Sequence, residues 1–413
     1  MAKDVIVLGA GIVGVSVALH LQQRGWSVVL VDRRAPGEET SFGNAGLIEA
    51  SSVVPYSFPR DWPTVLRFAR NGSTALRYDI RSLPSYARWL ARFWWESAPD
   101  RLQAASRDML PLIGRCVAEH DAFIDRAGLR DLVRPTGWLE AYREAASFER
   151  EALDAKRIAA THGLHVAILD DAALRSTEAS LAGGYAGAIH WTDPRSVSDP
   201  GALTKGYARL FEREGGTIAR GDAATLEALA NGWRVRTDAG VIEAGAAVVA
   251  LGAWSDVVLR PLGYRVPLMA KRGYHMHYES AAQAPLLRPV VDIEGGYVVA
   301  PMRRGLRLTT GVELASRERP ANPVQLDLAE RAARPVFGLG RRLDEKPWVG
   351  LRPCTPDMRP VIGAGHRHAG LWFAFGHAHH GLTLGPVTGR LLAEMMSGET
   401  PFTDVAPYRA ARF

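Results

Sequence analysis

Residues Val5–Gly14 read VIVLGAGIVG, and the fold is decided there. Val5 to Leu8 is a β-branched apolar run bounded by Asp4 and Gly9, the pattern of a strand buried on both faces of a parallel sheet. It runs into Gly9-Ala10-Gly11-Ile12-Val13-Gly14, a G-x-G-x-x-G turn. The sequence predicts a helix from about Ile12 to Arg24, stopped by Gly25, and a second strand from Val28 to Val31 that ends at Asp32. Each part has a mechanical task. Gly9 permits the tight turn, Gly11 lets the backbone approach a pyrophosphate, and Gly14 lets helix and strand pack closely. The helix start offers free N–H groups and a partial positive charge to phosphates. Asp32 can accept from a ribose hydroxyl, with Arg33 beside it as a further cofactor contact. An acid at this place favours NAD or FAD over NADP.

The next stretch separates those two. Glu39 to Ile48, ETSFGNAGLI, is a loop of small residues that lets the backbone pass close to a flat ligand. An NAD-binding half would continue into a third βα unit, but none is evident until about residue 200. With these motifs the sequence resembles the FAD-dependent D-amino acid oxidase/dehydrogenase superfamily, nearest to the bacterial D-amino acid dehydrogenases. The resemblance returns at VVALGAWS (Val248–Ser255), VGLRPCTPDMRPVIG (Val349–Gly363) and GHAHHGLTLGPVTGRLL (Gly376–Leu392). It implies FAD contacts at Ser41, Asn44, Ala45, Gly46 and Leu47, at Gly252 and Trp254, and at Gly376, His377, Gly381, Leu382 and Thr383. Relatives with covalent FAD carry their cysteine near the place of Gly350, not of Cys354, so non-covalent FAD is expected.

The expected fold class is α/β in two domains. A Rossmann-like FAD-binding domain is assembled from residues 1–50, 195–260 and 345–413. A substrate domain of mixed sheet and helices is inserted as 51–194 and 261–344. Leu102 to Ser147 reads as helix broken near Gly128 and Pro135, and Gly201 to Glu214 as another helix. Ala224–Leu229, Trp233–Thr237 and Val241–Glu243 read as a meander with an Asn231-Gly232 turn. Ala246–Leu251 reads as a third buried strand, and Val266–Leu314 as strands of a second sheet.

The bulk numbers suit such an enzyme. With 413 residues, 47% apolar and 23% charged, the chain can bury a large core. The net charge of +6 comes from scattered arginines, not a basic arm, so nucleic acid is not an expected partner. Two distant cysteines, Cys116 and Cys354, fit a reducing cytosol. The start reads as strand and turn, not as a signal peptide, and no apolar run of about 18 residues spans a membrane. A cytoplasmic location is expected. The stretch 81–98 adds peripheral contact with the inner membrane face as an option. There Tyr86, Trp89, Leu90 and Phe93 form one helical face, with Arg88, Arg92, Trp94 and Trp95 around it. The alternative is a helix packed on its own domain.

For substrate, Arg352 in GLRPCTPD (Gly350–Asp357) is the leading candidate. A planar fork of donors suits a carboxylate, and the resemblance implies that it holds the amino acid's α-carboxylate. The alternative is an ion pair with Asp357. Tyr297 is a second carboxylate contact by resemblance, or else a core aromatic. Arg272 and Tyr274 are weaker candidates, and Glu49 and Tyr56 are expected along the side-chain pocket. His377, His379 and His380 lie too close in sequence for helical metal spacing, and no cysteine or carboxylate lies among them. No metal is expected. His379 and His380 replace smaller or apolar family residues, so they are expected to shape the pocket or tune flavin re-oxidation.

The resemblance implies hydride transfer from the α-carbon to FAD, followed by hydrolysis to a 2-oxo acid and ammonia. The acceptor is quinone or oxygen, with the dehydrogenase likeness favouring quinone. The alternatives are an oxidase of secondary amino acids (sarcosine, glycine, D-proline or hydroxyproline) and, more remotely, a flavoprotein module for tRNA modification. A subunit active only in a hetero-complex is a third.

Overall fold

The computed structural model describes residues 3–413. The opening stretch forms the expected strand Asp4–Leu8, helix Ile12–Gln22 and strand Ser27–Asp32. These two strands lie at the centre of an eight-stranded sheet. On one side, Ser27–Asp32 pairs in parallel with Thr217–Leu229. On the other, Asp4–Leu8 pairs in parallel with Ala246–Val249, which pairs in parallel with Leu371–Phe375. Val5, Ile6, Val7, Leu8 and Ala246–Val249 are buried, as strands covered on both faces must be. The meander Thr217–Leu229, Gly232–Thr237, Gly240–Ala244 closes one edge, and antiparallel Val361–Ala364 closes the other.

The helix Gly381–Met396 packs directly on Ile12–Gln22. Gly385 and Gly389 make that closeness possible. A Cβ at Gly385 would come 3.0 Å from Ile12 Cγ1, and one at Gly389 would come 2.5 Å from the Ser16 carbonyl oxygen.

A second, eleven-stranded sheet has Met269–Ser280 as its hub. That strand pairs antiparallel with Gly305–Thr310 and with Trp348–Cys354. Leu47–Ile48, Arg195–Val197 and Val133–Arg134 form a small third sheet.

Three expectations need correction. Trp348–Cys354 belongs to the second sheet, not to a unit with 361–413. Helices Pro99–Ile113 and Cys116–Ala127, expected in the substrate domain, share a core with Val5, Val15, Leu19 and Leu391. And Leu102–Ser147 is not all helix, because Trp138–Tyr142 is a strand paired with Gly187–Trp191. Gly137, at φ +61° with its Cβ direction 1.9 Å from the Trp191 carbonyl oxygen, turns the chain into that pairing, and tertiary contact overrides local propensity.

Candidate functional site

A cavity of about 890 Å³ runs between the two large sheets. Its first wall is the glycine turn. Gly9 sits at φ +105°, and a Cβ there would come 2.5 Å from the Ala250 carbonyl oxygen. Gly14 is tighter still, with its Cβ direction 1.8 Å from the Gly9 carbonyl oxygen. Gly11 differs: a Cβ would meet only Ser41 Oγ, at 3.3 Å, and it lines the cavity with Gly9, Ile12 and Val13. The first helix has no side-chain cap at Gly11. The Ile12 N–H donates to Ser41 Oγ at 3.0 Å. Asp32 accepts from the Ala10 N–H at 2.6 Å and the Arg34 N–H at 3.0 Å, and its carboxylate lines the cavity. Arg33 lies 4.6 Å over the Trp254 ring, and both line the same space with Gly252.

The small-residue loop forms the next wall. Asn44 accepts from the Gly46 N–H at 2.8 Å. Gly46 has φ +78° and passes so close to Val197 that a Cβ would lie 2.3 Å from its carbonyl oxygen. Buried Arg307, a residue the sequence did not single out, donates to the carbonyls of Phe42 and Asn44 at 3.1 and 2.6 Å. It fixes the loop from behind, while Ser41, Asn44, Ala45 and Leu47 face the cavity.

The third wall is the C-terminal turn. The Leu371–Phe375 strand ends at Gly376, φ +83°. Ala378 stands at φ +50°, a left-handed position that residues with a side chain adopt only rarely. His377 bonds Thr388 Oγ1 at 3.0 Å and lines the cavity with Gly381 and Leu382. A Cβ at Gly381 would meet nothing within 4 Å, so the start of the last helix opens toward the site. Thr383 lies behind it, donating to the Leu47 carbonyl at 3.2 Å and accepting from the Glu49 N–H at 3.1 Å. Ala10, Gly14, Gly46, Gly376 and Thr383 thus support the walls, and the other expected cofactor residues form them. The open backbone at Gly11 and Gly381, the two helix starts and the Asp32 carboxylate fit a dinucleotide cofactor with a flat ring system.

Arg352 lines the far side of the cavity. Its Nη1 donates to the Gly311 carbonyl at 2.8 Å and its Nη2 to that of Thr310 at 3.2 Å. The guanidinium lies across Gly273, where a Cβ would come within 2.7 Å of it. Among the described residues no carboxylate pairs with it, and Asp357 is committed to Arg359 and Arg412. Burial pushes its pKa down, which marks a cation short of an anion. Lys271, its register partner on the neighbouring strand, is 9% exposed and also lines the cavity. Its ammonium lies 4.2 Å over the Phe93 ring and 4.8 Å over that of Trp89.

Three expected substrate contacts are engaged elsewhere. Arg272 Nε lies 3.0 Å from Glu313 Oε2, and its Nη atoms donate to the carbonyls of Ser316, Arg319 and Pro320. Tyr274 donates to Glu313 at 2.5 Å. Both point to one face of the Met269–Ser280 strand, while alternation gives Lys271 and Gly273 to the other. Tyr297 borders the cavity, but its hydroxyl donates to Asp292 at 2.9 Å and accepts from Arg143 at 3.2 Å. With Tyr185 also donating to Asp292 at 2.9 Å, this is a structural knot. A carboxylate contact through Tyr297 is not what the geometry shows.

Glu49, Tyr56 and His379 line the cavity as well, with His380 behind them. The Tyr56 and His379 rings are 4.4 Å apart, and those of His379 and His380 3.6 Å apart. Glu49 accepts from Ser52 Oγ at 2.5 Å, and its Oε2 lies 3.9 Å from His380 Nδ1. Burial raises the Glu49 carboxyl to about 7 and lowers His380 to about 4, His377 to about 3 and His379 well below the usual value. The imidazoles are neutral at pH 7. The sequence had no carboxylate among the histidines, and the fold brings Glu49 to them from more than 300 residues away.

The family model described as "FAD dependent oxidoreductase" (DAO) matches residues 4–395. The chain is 30% identical over 425 residues to a D-amino-acid oxidase of Bradyrhizobium diazoefficiens, covering 100% of this chain and 99% of the relative. It is 33% identical over 408 residues to a D-amino acid dehydrogenase of Paramagnetospirillum magneticum, covering 95% of each. Among solved structures, L-amino acid deaminase from Proteus vulgaris superposes with a TM-score of 0.75 at 19% identity, covering 99% of this chain and 97% of that one. Glycine oxidase from Geobacillus kaustophilus gives 0.74 at 21% identity, covering 99% and 98%. At such identities these two show a shared fold.

Proposed function

Because this chain belongs to the FAD dependent oxidoreductase (DAO) family and is therefore a flavoprotein oxidoreductase, we propose that it deaminates D-amino acids oxidatively to 2-oxo acids and ammonia. The observation that carries the substrate class is Arg352, a cation on the cavity wall with no carboxylate partner among the described residues. A bound α-carboxylate would accept from its planar fork. FAD, when bound, supplies the two-electron acceptor for the α-hydrogen and its electron pair. The glycine turn, Asp32 and the start of the last helix would hold it. Burial keeps the Cys354 thiol protonated, with its pKa raised. A protonated thiol is a poor nucleophile, which supports non-covalent FAD.

For re-oxidation we propose a quinone, met at a membrane surface. No helix among the described residues is long and apolar enough to cross a membrane. Yet Trp62, Leu66, Ile80, Trp94 and Trp95 are all exposed, with Arg60 and Arg101 stacked on Trp94 and Trp95 at 4.3 and 4.8 Å. Exposed tryptophans among arginines suit an interface between water and anionic lipid.

The test is a visible spectrum of purified holoprotein without oxygen. Flavin bands that bleach on adding D-alanine or another D-amino acid are expected. Bleaching by sarcosine or glycine alone would replace this reading with the secondary-amine one, and no bleaching by any amino acid would overturn it.

A further inference from the structure

An amino acid binds as a zwitterion, so a site with a carboxylate clamp also needs acceptors for its ammonium. Glu49, His379 and His380 each present one lone-pair atom, and these three atoms lie within 4.8 Å of one another. The His380 side chain is only 7% exposed, and its Nδ1 has no hydrogen-bond partner. Two kinds of guest set different spacings. A zinc ion holds ligands at about 2.1 Å, which places them roughly 3.4 Å apart around a tetrahedron. An ammonium holds acceptors at about 2.9 Å, which places them roughly 4.7 Å apart. The separation of Glu49 Oε2 from His380 Nδ1, 3.9 Å, is wider than the first of these, and three acceptors within 4.8 Å of one another can take three N–H donors.

We propose that Glu49, His379 and His380 bind the α-ammonium of the substrate opposite Arg352, and that Glu49 takes its proton. This rests on the amino-acid reading above. In the proton step one N–H bond breaks and one O–H bond forms on Glu49. The nitrogen keeps its electron pair and nothing is oxidised. That pair is what the C=N bond needs once the α-hydrogen leaves. Glu49 is suited to the exchange: burial brings its proton affinity up, and the Ser52 hydroxyl holds its carboxylate in place. The other titratable groups around it are Tyr56 from the same loop, Glu140 from the Trp138–Tyr142 strand and Cys116 from the helix it opens, besides the two histidines. Arg352 acts on Tyr56 and His379. Three acceptors also select substrates with three N–H groups, so primary amino acids are preferred over N-methylated or cyclic ones.

The probe is 2-methylalanine, which has the ammonium and carboxylate but no α-hydrogen to lose. Its binding to holoprotein, read by titration calorimetry, is compared with that of 2-methylpropanoate, which lacks the amine. Glu49→Gln is expected to weaken 2-methylalanine about 10–100-fold, the worth of a charged hydrogen bond, and to leave 2-methylpropanoate unchanged. In the wild type, each N-methyl group added to 2-methylalanine should cost about tenfold, a result that needs no variant to fold. In Glu49→Gln the anaerobic flavin reduction by D-alanine should lose the ionisation near pH 7 that limits it in wild type. Equal affinities for the two probes, or a pH profile unmoved by Glu49→Gln, overturn the inference while D-alanine still bleaches the flavin. If no D-amino acid bleaches it, the amino-acid reading has failed and this inference fails with it.

Discussion

At the scale of single residues, Arg352 and Arg272 make an instructive pair. Arg352 faces Lys271 across two paired strands and Arg272 is the next residue along, facing Leu351, yet the two arginines have opposite fates. Arg272 is paired with Glu313 and three carbonyls. Arg352 has two carbonyls and no acid. An enclosed charge without a counter-charge costs stability, and apolar replacement of such groups is often neutral or stabilising. Arg352→Leu is therefore expected to lower kcat/KM for D-amino acids about 100-fold or more. The melting temperature measured without substrate should stay level or rise. A variant that keeps its kcat/KM would remove Arg352 from substrate binding. The sequence identified Arg352 from its flanking leucine and proline. It offered Arg272 and Tyr274 as weaker candidates, and the fold engages both with Glu313, a partner no local pattern announces because a strand read alone gives the period of two but not what each face meets. Glu49 was legible as a pocket residue. Its meeting with His380 was not, since nothing local links positions 49 and 380.

At the scale of elements, the helix Leu83–Glu96 carries two unlike faces. Trp89 and Phe93 are buried against Met269, Leu314 and Cys354, so the periodic apolar face seen in the sequence packs on the protein itself. Trp94 and Trp95 project outward, 45% and 56% exposed. The double variant Trp94→Ala, Trp95→Ala should bind vesicles containing anionic lipid about tenfold or more weakly in sedimentation assays. Reduction of a soluble dye acceptor should be unchanged. Equal sedimentation of wild type and variant would refute the membrane contact. Elements with strong local signals were read within a residue or two: the first strand–helix–strand, the two hairpin strands Gly232–Thr237 and Gly240–Ala244, and the start of the helix at Gly381. The strand before that hairpin begins at Thr217, seven residues ahead of the expected Ala224. The Trp138–Tyr142 strand was missed. It is short, and what makes it a strand is pairing with Gly187–Trp191, not its own composition.

At the scale of the whole molecule, several buried histidines set the response to acid. Burial holds His20 at about 3, His120 at about 4 and His275 at about 2, beside His377 and His380 in the site. In the unfolded chain each would titrate near 6.5. As pH falls from there the unfolded state takes up protons that the native state refuses, so stability is lost. Glu49 and Glu140, both raised to about 7 by burial, act the other way between pH 4.5 and 7, but they are two against six, His379 included. The melting temperature should fall by several degrees or more between pH 6.5 and 5, as calorimetry can show. A flat or rising profile would mean that these imidazoles are protonated in the folded state.

The close crossing of helices Ile12–Gln22 and Gly381–Met396, permitted by Gly385 and Gly389, has a meaning in time. One partner is synthesised more than 300 residues before the other. The central sheet has the same dependence, since Leu371–Phe375 completes the row begun by Asp4–Leu8. Contacts of such long sequence separation form slowly and leave apolar surface uncovered meanwhile. A complete cofactor cradle thus requires the segment from Gly381 onward. A translation product stopped before residue 381 would lack the second helix start and most of the cover over the first helix.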